Sequence, residues 1–112
     1  MSENRSPCPV ACSLDIFGDR WTLLVIRDLF AGKTSYKEFL QSPEAISTNI
    51  LSNRLKILVA HGLVSNDETN PKTGKAIYRM TEKGNSIYPV LDAIADWGLD
   101  QLQGTEKLVA VG

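Results

Sequence analysis

A mainly α-helical domain carrying one small β-hairpin is the fold class this sequence predicts. Three observations predict it. Apolar residues recur at helical spacing through most of the chain. Two segments, "LVSNDET" at 63–69 and "KAIYRMT" at 75–81, have strand-like alternation instead, and the turn-rich "NPKTG" lies between them. The length, 112 residues with 43% apolar, suits one domain and one core.

The elements follow in order. Residues 1–10 are polar with two prolines and are expected to form a loose arm. "ACSLDIFG", 11–18, reads as a short helix stopped by Gly18. "RWTLLVIRDLFAG", 20–32, is apolar nearly all round, which predicts a central buried helix with Trp21 and Phe30 in the core and Gly32 as its stop. "TSYKEFLQS", 34–42, predicts a short helix with Tyr36, Phe39 and Leu40 inward and Thr34 or Ser35 as N-cap. "PEAI" makes a turn. A helix then runs from Ser47, its N-cap, to Gly62, its stop. After the hairpin, Ile87, Leu91, Ile94 and Trp97 define a late amphipathic helix, with Pro89 early in it or bending it. The folded domain is expected over 11–104, with 105–112 a flexible tail.

Two consecutive helices joined by a turn and followed at once by a hairpin describe a winged helix–turn–helix. In such a pair the second helix enters the major groove of DNA. The helix from Ser47 has the surfaces this requires. With 100° per residue, Leu55, Leu58 and Val59 fall within about 80° of Leu51. Asn49, Ser52, Asn53 and Lys56 lie roughly 100–200° away. Asparagine amides and serine hydroxyls can read base edges, and lysine suits phosphate. Ser47 and Thr48, at the helix start, suit a phosphate oxygen. Arg54 lies beside the apolar stripe, where either a phosphate or an internal carboxylate is within its reach. Lys72 and Lys75, with Thr73, form a basic wing tip placed for backbone contact. Lys33 and Ser35 complete the set of candidate DNA contacts. Any surface helix carries polar residues outward. What distinguishes this one is its short amide and hydroxyl set, its place after a turn and the basic hairpin behind it.

Net charge is −1, but it is unevenly spread. Residues 33–79 hold seven cations against four anions, while 80–112 hold two against five. A basic middle and an acidic end are compatible with a polyanionic partner. Enzymatic chemistry finds no support. No Ser/His/Asp set, phosphate loop or C-x-x-C is present, and His61 sits at a helix end. Two cysteines, Cys8 and Cys12, are too few for a disulfide scaffold, and one histidine does not build a zinc site, so no metal or cofactor is expected. No apolar run reaches membrane-spanning length and no signal peptide opens the chain, which predicts a cytoplasmic protein.

Four segments taken together resemble the HxlR-type winged helix–turn–helix transcription regulators of bacteria and archaea. They are "CPV" at 8–10, "DIFGDRWTLLVIRDLFAG" at 15–32, "FLQSPEAISTNILSNRLKILVAHGLV" at 39–64 and "YRMTEKGNSIYPVLDAIADWG" at 78–98. The resemblance implies a DNA-binding homodimer, repressor or activator, whose N- and C-terminal helices build the dimer interface. Ile87, Leu91, Ile94 and Leu102 are then candidate dimer contacts, with packing inside one chain as the competing role. A two-fold dimer implies an inverted-repeat operator. Cys8 matches the family cysteine that in several members senses oxidants, electrophiles or quinones. A thiol ahead of a helix N-terminus feels a dipole that favours thiolate, and Arg5 adds positive charge nearby. Cys12 departs from the family pattern and reads as a packed residue or a resolving thiol. Two other regulatory readings stand beside this one. A small-molecule effector could occupy a dimer pocket lined by Phe17, Trp21 and Trp97, although all three are expected in the core. A protein-interaction module would lack the polar face of the second helix, and this chain keeps it.

Overall fold

A computed structural model describes residues 6–106 of the chain. Residues 1–5 of the arm, Arg5 among them, and residues 107–112 of the tail lie outside the described residues. Six helices and two strands follow in order: α1 (Pro9–Phe17), α2 (Thr22–Phe30), α3 (Tyr36–Leu40), α4 (Thr48–Ala60), β1 (Val64–Thr69), β2 (Ala76–Met80), α5 (Glu82–Asn85) and α6 (Tyr88–Gln101). The chain is a winged helix–turn–helix, with α3 and α4 as the helix pair and β1–β2 as the wing. Among the described residues no helix is long and apolar enough to cross a membrane.

The centre of the fold is α2. It packs against α1, α4, β2 and α6. Val25, Ile26 and Leu29 of α2 meet Phe39 of α3, Leu51, Leu55 and Leu58 of α4, Val64 of β1, and Ile46, Leu63 and Ile87 from the connecting segments. Each leucine buried from α4 removes enough apolar surface to contribute about 1.5–3 kcal/mol. The leucine stripe therefore anchors α4 and leaves its other face to solvent.

Several expectations shift. α1 begins at Pro9, inside the stretch expected to be arm, because proline suits the first helical turn, where no N–H partner is needed. α2 is less uniformly apolar than its sequence implied. Thr22 and Asp28 are buried in it, while Trp21 and Phe30 only flank the core. Leu40 is exposed, since a five-residue helix that buries Phe39 turns the next position away. The late helix divides. α5 ends at Asn85, and α6 starts at Tyr88 with Pro89 in its first turn. Trp97, expected in the core, is 61% exposed, because it lies on the face of α6 turned away from α2, which no other element among the described residues covers.

The wing has antiparallel register Val64↔Met80, Ser65↔Arg79, Glu68↔Ile77 and Thr69↔Ala76, with an irregularity between Ser65 and Glu68. Its tip is closed by Asn70, whose side chain accepts from the Lys72 N–H at 2.8 Å and whose carbonyl accepts from the Gly74 N–H at 2.7 Å. Gly74 has φ 70°, the left-handed conformation glycine adopts without penalty. A second edge forms where the Tyr78 N–H donates to the Thr34 carbonyl at 2.9 Å, tying the start of the helix pair to the wing.

Candidate nucleic-acid interface

Three sets of contacts fix α4 relative to the domain, and each begins from a polar residue that would be costly to bury alone. Before the helix, the turn after α3 passes through Ala45 at φ 58°. Arg27 holds this turn, donating to both carboxylate oxygens of Glu44 at 2.7 Å. The paired geometry is the strong form of an arginine–carboxylate contact. Hydrogen bonding from Arg27 holds the Glu44 carboxyl below its ordinary value against the opposing effect of burial. Arg27 also donates to Asp28, and the Ser42 hydroxyl donates to the other Asp28 oxygen, so the nearly buried carboxylate is satisfied.

Near its middle, α4 is tied to the start of α2. Arg54 Nη1 lies 3.2 Å from Asp19 Oδ1. Asp19 accepts in turn from the N–H groups of Trp21 at 2.8 Å and Thr22 at 3.0 Å, and from the Thr22 hydroxyl at 2.5 Å. Burial pushes the Asp19 carboxyl up, but the hydrogen bonds from Thr22 and Trp21, with the Arg54 charge, outweigh it and lower the pKa.

At its end, α4 stops at His61, and Gly62 turns the chain with φ 73°. The Thr81 hydroxyl donates to the Gly62 carbonyl at 2.6 Å, and Lys83 Nζ donates to the His61 carbonyl at 2.9 Å. These bonds satisfy carbonyls that a helix end leaves open. Gly84 approaches so closely that a Cβ there would lie 2.1 Å from the Leu63 oxygen.

Held in this way, α4 presents Thr48, Asn49, Asn53 and Lys56 as exposed residues and Ser52 as a half-buried one. Ser47 is the N-cap, its Oγ accepting from the Ile50 N–H at 3.2 Å. The wing tip exposes Lys72 and Lys75. The polar face read from the sequence is therefore a surface of the folded domain.

Three of the candidate contacts are turned to other work. The Ser35 hydroxyl accepts from the Glu38 N–H and completes a capping box with the Glu38 carboxylate, because it begins α3. Lys33 folds back onto Ser42 at 3.2 Å and Asp28 at 3.7 Å, drawn by a nearly buried anion. Arg54 takes the internal carboxylate, Asp19, of the two partners its sequence position left open. Arg79 is likewise paired, with Glu68 at 3.0 Å. The exposed lysines of the basic middle are thus Lys37, Lys56, Lys72 and Lys75.

Of the candidate dimer contacts, Ile87 takes the competing role, packing inside one chain. It is 7% exposed within one chain and belongs to the core, and Leu91 packs against that core. Ile94 and Leu102 remain exposed. Cys8 is exposed at the N-cap of α1, while Cys12 is half-buried and its thiol donates to the Ser6 carbonyl at 3.2 Å. Trp21 lines an open cleft of about 300 Å³ with Asp19, Asn49, Ile50, Asn53 and Arg54, without Phe17 or Trp97.

Sequence reasoning missed Asp19 and Glu44. The signal for Asp19 was present, since an aspartate two or three residues ahead of an apolar helical run is a capping pattern. Glu44 gave none, because its partner is 17 residues away.

Comparison with known proteins agrees with this architecture. An HTH-type transcriptional regulator of Synechocystis sp., sll1512, is 32% identical over 96 residues, covering 86% of this chain and 71% of that protein. A crystal structure of PA1607, a candidate transcription factor, superposes with TM-score 0.82 at 36% identity, covering 96% of this chain and 74% of the other. The redox regulator HypR in its oxidised form superposes with TM-score 0.76 at 28% identity, covering 84% and 97%. Residues 16–106 match the HxlR-like helix-turn-helix family, and the chain belongs to that family of transcriptional regulators.

Proposed function

We propose that the protein binds duplex DNA as a homodimer and reads an inverted repeat with the outward face of α4. The observation that carries this is the exposed row Asn49, Asn53 and Lys56 on a helix fixed by Leu51, Leu55 and Leu58 beneath it. Amides suit base edges and lysine suits phosphate, and a rigid mount lets both act in one register. The wing lysines Lys72 and Lys75 add backbone contacts.

Support for the dimer comes from α1 and α6. Both lie on α2, and both leave apolar side chains open: Val10 at 66%, Leu14 at 54%, Ile94 at 49% and Trp97 at 61% exposed. A second copy that covers these side chains would set two α4 helices about one helical turn of DNA, or a multiple, apart.

Cys8 is the proposed point of redox control. It is exposed, at the N-cap of α1, within reach of an oxidant or of a second thiol. An oxidant such as diamide would take two electrons and two protons from a pair of thiols to form a disulfide between subunits or with a small thiol.

Selection from a randomised duplex library with the reduced protein tests both ideas. It is expected to enrich an inverted repeat. A protein that enriches no sequence would overturn the DNA reading. Diamide is expected to change operator affinity for the wild type and not for Cys8→Ser, and equal responses would remove Cys8 from the account.

A further inference from the structure

One side chain on the candidate DNA face has its orientation decided by a neighbour. Asn53 Oδ1 accepts a hydrogen bond from Arg54 Nη2. A guanidinium has donors only, so the amide atom facing it has to be the oxygen. Arg54 is held in turn by Asp19 at 3.2 Å, and Asp19 is fixed by the Trp21 and Thr22 N–H groups and the Thr22 hydroxyl. A line of contacts thus runs from the start of α2, through a half-buried cation, to an exposed amide on α4.

An unsupported asparagine turns its amide to suit the base. Against adenine it pairs twice, its oxygen accepting from the 6-amino group and its nitrogen donating to N7. The oxygen keeps a second lone pair, but the arginine fixes the side on which it lies, so the two N–H donors are what the amide turns to a base. We infer that Arg54 and Asp19 are positioning residues that hold Asn53 as a hydrogen-bond donor toward the major groove. Held so, Asn53 recognises an acceptor that both purines share, N7, and is indifferent to the 6-substituent that separates adenine from guanine. This rests on the reading of α4 as the DNA-contacting helix and assigns the specificity of one of its residues.

The test uses the operator selected by the full-length protein. Asn53→Ala first identifies the base pair whose preference disappears. At that pair the wild type is expected to accept adenine and guanine within about threefold, and to lose roughly 5- to 10-fold in affinity when the purine is replaced by its 7-deaza analogue. Arg54→Met, which keeps the stem and removes the donors, frees the amide. It is expected to shift the preference to adenine over guanine by about tenfold and to make the 6-amino group necessary. Asp19→Asn keeps an acceptor for the α2 cap while removing the charge that holds Arg54, so it is expected to shift preference in the same direction and by less. Circular dichroism and affinity for an unrelated duplex separate these effects from unfolding.

A wild type that already requires the 6-amino group of adenine would overturn the inference. So would variants that weaken every duplex equally with base preference unchanged, or an Asn53→Ala protein with no altered position. A wild type that selects no sequence overturns the DNA reading itself, and this inference with it.

Discussion

At the scale of single residues, the fold depends on a few contacts that no neighbour in sequence can replace. Gly84 is one. A methyl group there would sit 2.1 Å from the Leu63 oxygen and 2.7 Å from the Met80 methyl, and the first of these is backbone. Gly84→Ala is expected to cost roughly 2–3 kcal/mol through overpacking. The melting temperature would fall by on the order of 10 °C, which thermal denaturation would show. Glu44 is another. Its carboxyl, held below the ordinary value of 4.5 by Arg27, stays ionised in the fold to lower pH than in the unfolded chain. The unfolded chain therefore takes up the proton first, and the stability that the Arg27–Glu44 pair contributes is present above the ordinary carboxyl pKa and lost as pH falls below it. Between about pH 6 and about pH 3, the urea midpoint of the wild type is expected to drop more steeply than that of Glu44→Gln. An identical acid limb in both proteins would contradict this. Such roles were only partly legible in the sequence. The position of Arg54 allowed a phosphate or an internal carboxylate, and only folding brings Asp19 to it. Lys33 has the look of a surface cation in sequence, yet folding sets Asp28 and Ser42 beside it. Charged side chains are long, and their partners are chosen by tertiary neighbours that spacing along the chain does not encode.

At the scale of elements, the sequence was most legible where a period repeats. Leucines at 51, 55 and 58 gave α4 its buried side, and the structure leaves all three almost wholly inaccessible. The wing followed from alternation around a turn, and its strands fall within one residue of the expected bounds. Short elements were harder. Helix α3 has five residues, too few to show which side is buried, and Leu40 was misplaced for that reason. The break between α5 and α6 was hidden because Ile87 keeps the helical spacing of the apolar residues while serving the core from just ahead of α6. The wing carries its own prediction. Lys72 and Lys75 are exposed at its tip, so replacing both with alanine is expected to weaken all duplexes alike. The slope of log affinity against log salt should become shallower by about one for each phosphate that the wing no longer touches. A change confined to the selected operator would mean that the wing reads bases.

At the scale of the whole molecule, the uneven charge of the sequence is rearranged by folding. Lys33, Arg54 and Arg79 are paired with Asp28, Asp19 and Glu68, so the basic character of the middle segment at the surface rests on Lys37, Lys56, Lys72 and Lys75. Trp97 and Ile94 of α6 are also exposed in the single chain, where spacing placed Trp97 in the core and the family resemblance made Ile94 a candidate dimer contact. On the proposed dimer, replacing both with serine is expected to leave the fold intact and to give a monomer in sedimentation equilibrium where the wild type gives a dimer. Operator affinity should fall with it, because the two half-sites are then bound separately. A variant that remains dimeric would place the interface elsewhere.

The most direct test of the central claim compares the wild type with Asn53→Ala/Lys56→Ala by fluorescence anisotropy, on the selected operator and on an unrelated duplex at one salt concentration. The expected result is a loss of roughly 10- to 100-fold on the operator, a much smaller loss on the unrelated duplex, and an unchanged circular dichroism spectrum. Operator affinity equal to that of the wild type would contradict the assignment of the outward face of α4 to DNA.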